Sequence, residues 1–529
     1  MKFVYAIFLL AVILWVSHIP AQEVTKTERL HIENADSLVG TKERFGQNVQ
    51  TLIGNVRLKH LNTLMFCDSA FVQRDSNKVE AYGSIHIIQD DSIHLYGDEL
   101  YYFGNEHKAQ VRKNVRLVND SVVLTTEFLD YDRKNNIAYY FNGGKITSGD
   151  NILVSSWGHY YPKLKMAQFR DDVVLTNPEY EMFSDTLIYY TEPEIANIVG
   201  PTTIVSEQNT IYAEAGFYDT KNDIARLEKN SSVTTKEQIL YGDTIYYDRN
   251  SGFGEVFSNM QMIDTTNNII ITGDYGYYNE LTKNALATRR AVAMQIYQND
   301  TVFMHADTIR ADSIPGREHR LMRAYNHVKF FRTDFQGRCD SMVFDFADSI
   351  NTMYGDPVLW SLDNQMTAET IKLYTENQSL NKAELINDAF VISREDTVHF
   401  NQIKGKLMTG YIKDNELYKI DVNGNGQTVY YRKEDDNVMI GVNRTESSNL
   451  TILLSDRKVT SITARVQSTG NFNPPLLLPL EAQQLAGFRW LDDFRPKKMS
   501  DIFIYDQPPA PERKASYSDY SFDRILPDN

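Results

Sequence analysis

Leu95–Tyr102 reads LYGDELYY, and Leu240–Tyr247 reads LYGDTIYY, the same frame five periods of 29 residues further on. The frame is apolar, any, small, acidic, any, apolar, any, aromatic. It returns as MFCDSAFV at 65–72, LTTEFLDY at 124–131, MFSDTLIY at 182–189, IYAEAGFY at 211–218 and ITGDYGYY at 271–278. Looser copies are MHADTIRA at 304–311, GRCDSMVF at 337–344 and MTAETIKL at 366–373. The acids are Asp68, Asp98, Glu127, Asp185, Glu214, Asp243, Asp274, Asp307, Asp340 and Glu369, with Ser156 filling one slot and Gln402 marking a faint last copy. Most steps are 29 residues. A second marker keeps phase eleven residues after the acid: Ala109, Ala138, Ala167, Ala196, Ala225 and Ala285, with Gly254 in the same slot. Two markers at one period identify a repeat array.

The repeat is β. Apolar residues alternate on each side of the small–acid pair, and the alternation slips by one residue there. Keeping one face buried therefore requires a bulge or corner. The corner acids Asp68, Asp98, Glu127, Asp185, Glu214 and Asp243 are expected to accept hydrogen bonds from amides freed by the bend. Removing one should then cost roughly 1–3 kcal/mol. A Gly-x-Val-like stretch, as in GNVRL at 54–58 and GSIHI at 83–87, reads as the start of a further strand. Asn- and Asp-rich turns separate the strands. The expected fold is an all-β, elongated repeat array of short antiparallel strands, advancing as a rod. Helical periodicity is confined to a stretch near Leu480–Leu491.

Residues 1–21 read as a signal peptide: Lys2, an apolar run over Phe3–Val16, and Ala21 for cleavage. No later stretch reaches the ~18 apolar residues of a membrane helix. A formal charge of −16 excludes a broad basic surface for nucleic acid. The only cysteines, Cys67 and Cys339, occupy the small slot before the acid and read as small buried residues, not as a disulfide framework. The expected divisions are a β-repeat region at 22–270, a divergent continuation of it at 271–468, and a Pro-containing cap with a flexible tail at 469–529. Asp312–Met322 reads as an inserted loop.

These motifs, in this order and period, resemble the OstA/LptA family, well over residues 30–270 and loosely over 271–465. The resemblance implies a β-taco or β-jellyroll groove whose apolar lumen takes the acyl chains of lipid A. It implies a periplasmic protein that bridges inner and outer membranes of a Gram-negative envelope, with association with the outer membrane left open. Its partners would be lipopolysaccharide and the transport components of both membranes, joined by edge-strand addition, with end-to-end self-association also open. The groove residues would be Leu95, Leu100, Tyr102, Leu124, Leu129, Tyr131, Ile211, Tyr218, Leu240, Ile245 and Tyr247. The residue pattern itself fits two states, a lipid-lined groove or a filled core as in an ordinary β-solenoid; the resemblance points to the groove.

No catalytic constellation is present: no H-E-x-x-H, no G-x-S-x-G and no Walker loop. No Cys/His set has zinc spacing, and one acid per repeat is too sparse for calcium. No enzyme activity, cofactor or metal is expected. His86 and His94 form a possible pair, read as exposed strand positions. The alternative function is an extracellular β-solenoid adhesin or glycan-binding protein.

Overall fold

The computed structural model describes residues 29–41, 49–297, 300–313, 321–376, 379–413, 416–434, 438–455, 458–474, 479 and 483–505. The proposed signal peptide, most of the proposed inserted loop and residues 506–529 lie outside the described residues. The chain divides into two compact units, Met1–Ala196 and Asn197–Asn529.

In the first unit, strands of 11 or 12 residues follow one another from Val49–His60 to Tyr180–Tyr190, each antiparallel to the next. The second unit continues the antiparallel pairing from Ile224–Thr234 to Met439–Ser455, with shorter strands between Ile350 and Glu376 and longer ones from Ser379–Arg394 on, followed by Lys458–Arg465 and Thr469–Asn473. The β-branched and aromatic content explains the strands. The all-β antiparallel array is thus the fold.

Every long strand bends in its middle. Ile93–Phe103 shows why: Ile93, Leu95 and Gly97 are buried, Asp98 is exposed, and burial resumes out of phase at Leu100 and Tyr102. The ladder register shifts at the same place, between Tyr96 and Glu99 against the following strand. At Glu214 the break separates Thr210–Ala213 from Ala215–Asp219, and both halves still pair with Ile224–Thr234.

The facing strand turns the corner with two successive residues in the left-handed region, such as Lys113–Asn114, Lys229–Asn230 and Ser258–Asn259. Asn, Asp and Gly tolerate this conformation best. The Gly-x-Val stretch is therefore not a strand start. Gly83 and Ser84 have φ values of 78° and 46° inside Lys78–Gln89, and a Cβ on Gly83 would collide with the Asp68 carboxylate.

The bend folds each strand into two walls. Asn119 ends one half of Lys108–Asn119, and Tyr160 lies in the opposite half of Asn151–Tyr161. In a flat sheet, half-strands this far apart would be separated by about 30 Å. Instead Asn119 Nδ2 donates to Tyr160 OH at 3.0 Å. Both walls turn their apolar faces inward, and the core lies between them.

Candidate functional site

The aromatic slot of the repeat builds a seam along the wall edges. In the first unit the cross-strand row runs Tyr102, Ala109, Tyr131, Ala138, Tyr160, Ala167, Tyr189. Large rings alternate with small residues, which accounts for the alanine marker: a ring needs a small neighbour on the next strand, 4.8 Å away. The tyrosine hydroxyls reach across to the other wall. Besides Asn119 on Tyr160, Asn151 donates to Tyr189 at 3.0 Å, and in the second unit Asn209 donates to Tyr247 at 2.8 Å. Tyr102 OH contacts His60 Nδ1 at 2.6 Å and accepts from Arg133, whose Nε also donates to Gln89. Tyr131 and Tyr218 bond side chains of their own hairpins, Asn136 and Asp223. Burial pushes the Tyr102 hydroxyl up to about 12, so it stays protonated and able to donate.

The eleven residues expected to line a groove, Leu95, Leu100, Tyr102, Leu124, Leu129, Tyr131, Ile211, Tyr218, Leu240, Ile245 and Tyr247, are all buried inside this region. The four tyrosines among them spend their hydroxyls in hydrogen bonds. Leu240 and Tyr247 border a void of only about 20 Å³.

The seam stops after Tyr278. The same slot then holds Ala311, Phe344 and Leu373, which carry no hydroxyl. There the lumen widens into a cavity of about 310 Å³ lined by Met304, Met322, Phe330, Met342, Phe344 and Leu373, among others. An adjoining apolar space of about 90 Å³ is lined by Leu359, Met366, Val391, Met408 and Ile420, among others. Arg332, Phe335 and Leu380 border both. The larger volume enters the ~300–1,000 Å³ range of small-molecule sites. Methionine is unbranched and polarizable, so it adapts to chains of different shape. The lining also carries polar groups, among them Asn267, Gln295, Asn351 and Arg332, and Arg332 pairs with Asp334 of the adjoining space. Arg332 also lies 4.1 Å over the Phe335 ring. Such a site can hold an apolar chain inside and a polar group at its edge. Apart from Asn267 and Ile269, this lining lies in the region read from sequence as a divergent continuation, and none of it is among the residues expected to line a groove.

The corner acids take a different position from the one expected. Asp68, Asp98, Glu127, Asp185 and Asp243 are exposed, and Glu214 is half-buried. Their partners are mostly side chains sixteen residues on. Asn114 donates to Asp98 at 2.6 Å, Asn230 to Glu214 at 2.8 Å, Asn259 to Asp243 at 2.7 Å and Ser84 to Asp68 at 3.0 Å. Thr186 donates to Asp185. Only Glu127 accepts a backbone amide in this set, from Asn114 at a long 3.4 Å. The freed amides are thus left largely to other partners, and the acid ties one corner to the next.

Cys67 and Cys339 are free and buried, and burial pushes the Cys67 thiol up to about 12. His86 and His94 are half-buried and bonded at 3.1 Å. They stack in an aromatic ladder with Phe66 and Tyr96, so His86 is held below its usual range by desolvation and by His94. Among the described residues no three His, Cys, Asp or Glu side chains converge to hold a metal.

A family profile described as OstA-like protein matches residues 27–185 and 181–296, just over half of the chain. No curated protein matches. Among solved structures, one similar chain is LptH, the LptA homologous periplasmic component of the conserved lipopolysaccharide transport device from Pseudomonas aeruginosa. The identity is 12% and the TM-score 0.21, over 26% of this chain and 95% of that one.

Proposed function

The chain belongs to the family of OstA-like proteins, and from that premise we propose that it binds lipopolysaccharide in the periplasm and serves its transport to the outer membrane. It holds the acyl chains of lipid A in the apolar lumen of the second unit and carries out no chemical step. The observation that carries this reading is the coincidence of two features. The tyrosine seam ends after Tyr278, and the methionine-lined cavity of about 310 Å³ lies where it has ended. Within the second unit, Ile211, Tyr218, Leu240, Ile245 and Tyr247 form the packed part of the lumen, into which acyl chains pass only if the seam opens. Partners in the two membranes would join at the edge strands, which offer unpaired backbone groups.

Mass spectrometry of lipid extracted from protein purified out of the envelope tests the cargo. The reading expects an acylated glycolipid of the lipid A class. Recovery of free glycans without acyl chains would favour the adhesin or glycan-binding alternative and reject the transport reading.

A further inference from the structure

In the first unit the walls bury alternate residues, as in Ile93–Phe103. In the second unit one wall buries consecutive residues: Ala291–Ala293, Met304–Ala306, Val328–Phe330, Val358–Trp360 and Ala389–Ile392. Both faces of this wall are covered. One face looks into the cavity through Met304, Phe330, Leu359 and Val391. The other is covered by Gln483–Tyr505.

That segment has its own short repeat, LAGFRW at 485–490 and LDDFRP at 491–496. Three buried glutamines, one on each of three wall strands, hold it at matching steps. Gln402 donates to Gln483 O at 3.0 Å and accepts from Leu485 N at 2.8 Å. Gln365 does the same with Arg489 O at 2.7 Å and Leu491 N at 2.6 Å. Gln336 accepts from Arg495 Nε at 2.8 Å. The segment runs back toward earlier strands, where Lys329 Nζ donates to Ile504 O at 2.6 Å and Tyr505 OH to Asp307 at 3.0 Å. Arg338 lies over Phe494, and Arg394 over Trp490. Gln402 and Gln365 imitate a neighbouring strand, which lets an irregular segment seat on a sheet face with these backbone groups paired.

The strands it covers are those that face the cavity. A wall opposite a filled core is held by packing across the lumen; a wall opposite open space lacks those contacts. We propose that residues 483–505 are an external splint, which keeps the cavity wall ordered while the lumen is empty so that an acyl chain can enter. This rests on the reading of the cavity as an acyl-chain site. Splint and ligand then stabilise the same strands, so each strengthens the hold of the other by the same factor.

The test uses the full chain with Gln365→Ala and Leu485→Asp, both outside the lumen, and dodecanoate as a single-chain probe. Hydrogen exchange is followed in Thr301–Asp312, Leu321–Phe331 and Ser379–Arg394. Without probe, protection there should fall at least tenfold in the variant, while Lys108–Tyr190 is unchanged. Saturating dodecanoate should restore it, and dodecanoate affinity should drop by a matching factor. Wild-type protection in the probe-free variant overturns the splint and leaves the cavity reading intact. If dodecanoate protects none of these strands in the wild type, the cavity reading fails, and with it the coupling. Should the double variant not fold, Arg495→Ala removes the contacts with Gln336 and Leu362 and the ion pair with Asp492 inside the segment. Loss of protection in Leu321–Phe331 then supports the splint, and unchanged protection rejects it.

Discussion

Replacing Tyr160 with Phe removes one hydroxyl from the seam and leaves the buried ring in place. Tyr160 is 0% exposed and Asn119 is 4% exposed, so the Asn119 amide cannot turn to water for a replacement acceptor. Its remaining contact in this direction is Pro162 O at 3.5 Å, too long to compensate. A buried donor left unpaired costs about 1–3 kcal/mol; with this weak second acceptor the lower part of the range, about 1–2 kcal/mol, is expected. Local opening in Lys108–Asn119 and Asn151–Tyr161 should become roughly 5- to 30-fold more frequent. Hydrogen exchange resolved by segment reads this without assuming that the whole chain unfolds in one step. Asn119→Ala should act similarly by orphaning the tyrosine hydroxyl. The double variant should cost less than the sum, with a coupling of at least about 0.5 kcal/mol. Strict additivity, or exchange unchanged in both segments, would refute the idea that these groups lock the walls together.

Asp243→Ala removes an exposed acceptor of one Asn259 bond at 2.7 Å. It should cost about 0.5–1.5 kcal/mol, the ordinary net worth of a hydrogen bond, in chemical denaturation of the variant. A larger loss would place the carboxylate in a role the structure does not give it. His305 donates Nδ1–H to Ala291 O at 2.8 Å, and its buried Nε2 has no partner. Desolvation holds its pKa below the usual value despite the bond to Ala291 and nearby Asp307, with Arg290 and His327 also opposing its charge. The opened state, titrating near ~6.5, takes up a proton that the closed state refuses. The stabilisation is therefore complete above that pH and is lost as pH falls below it. Exchange at residues 499–505, corrected for intrinsic pH effects, should rise on acidification, and His305→Phe should flatten the change.

Much of this was legible from periodicity. The slip in alternation at Asp98 marked the corner because a two-residue period cannot change phase without a bend. The use made of the tyrosines was not legible: in a pattern of apolar slots, Tyr102 and Tyr160 count the same as Leu, and the hydroxyl finds its partner about forty residues away. The alanines at 109, 138 and 167 were visible as a marker, yet only the cross-strand row shows that they make room for rings. The Gly-x-Val stretch was misplaced because Gly and Asn signal left-handed backbone without saying whether a turn or a mid-strand bulge needs it. The change of the aromatic slot to Ala311, Phe344 and Leu373 was on view as loosened copies. Its meaning depends on which wall edge those positions occupy. The segment 483–505 escaped because its six-residue repeat is neither a strand nor a helix period. No residue of its described part near Leu485–Leu491 is α-helical.

The central claim is that lipid occupies the lumen where the seam has ended. A photocrosslinking residue placed at Met342 or at Leu129 in cells measures this directly. Met342 borders the cavity, whereas Leu129 is 0% exposed within the closed part. The account predicts capture of lipopolysaccharide at Met342, much weaker capture at Leu129, and loss of the Met342 product when Ala311→Tyr returns a tyrosine to the slot. Capture at Leu129 equal to or above that at Met342, or a Met342 product indifferent to Ala311→Tyr, would contradict it.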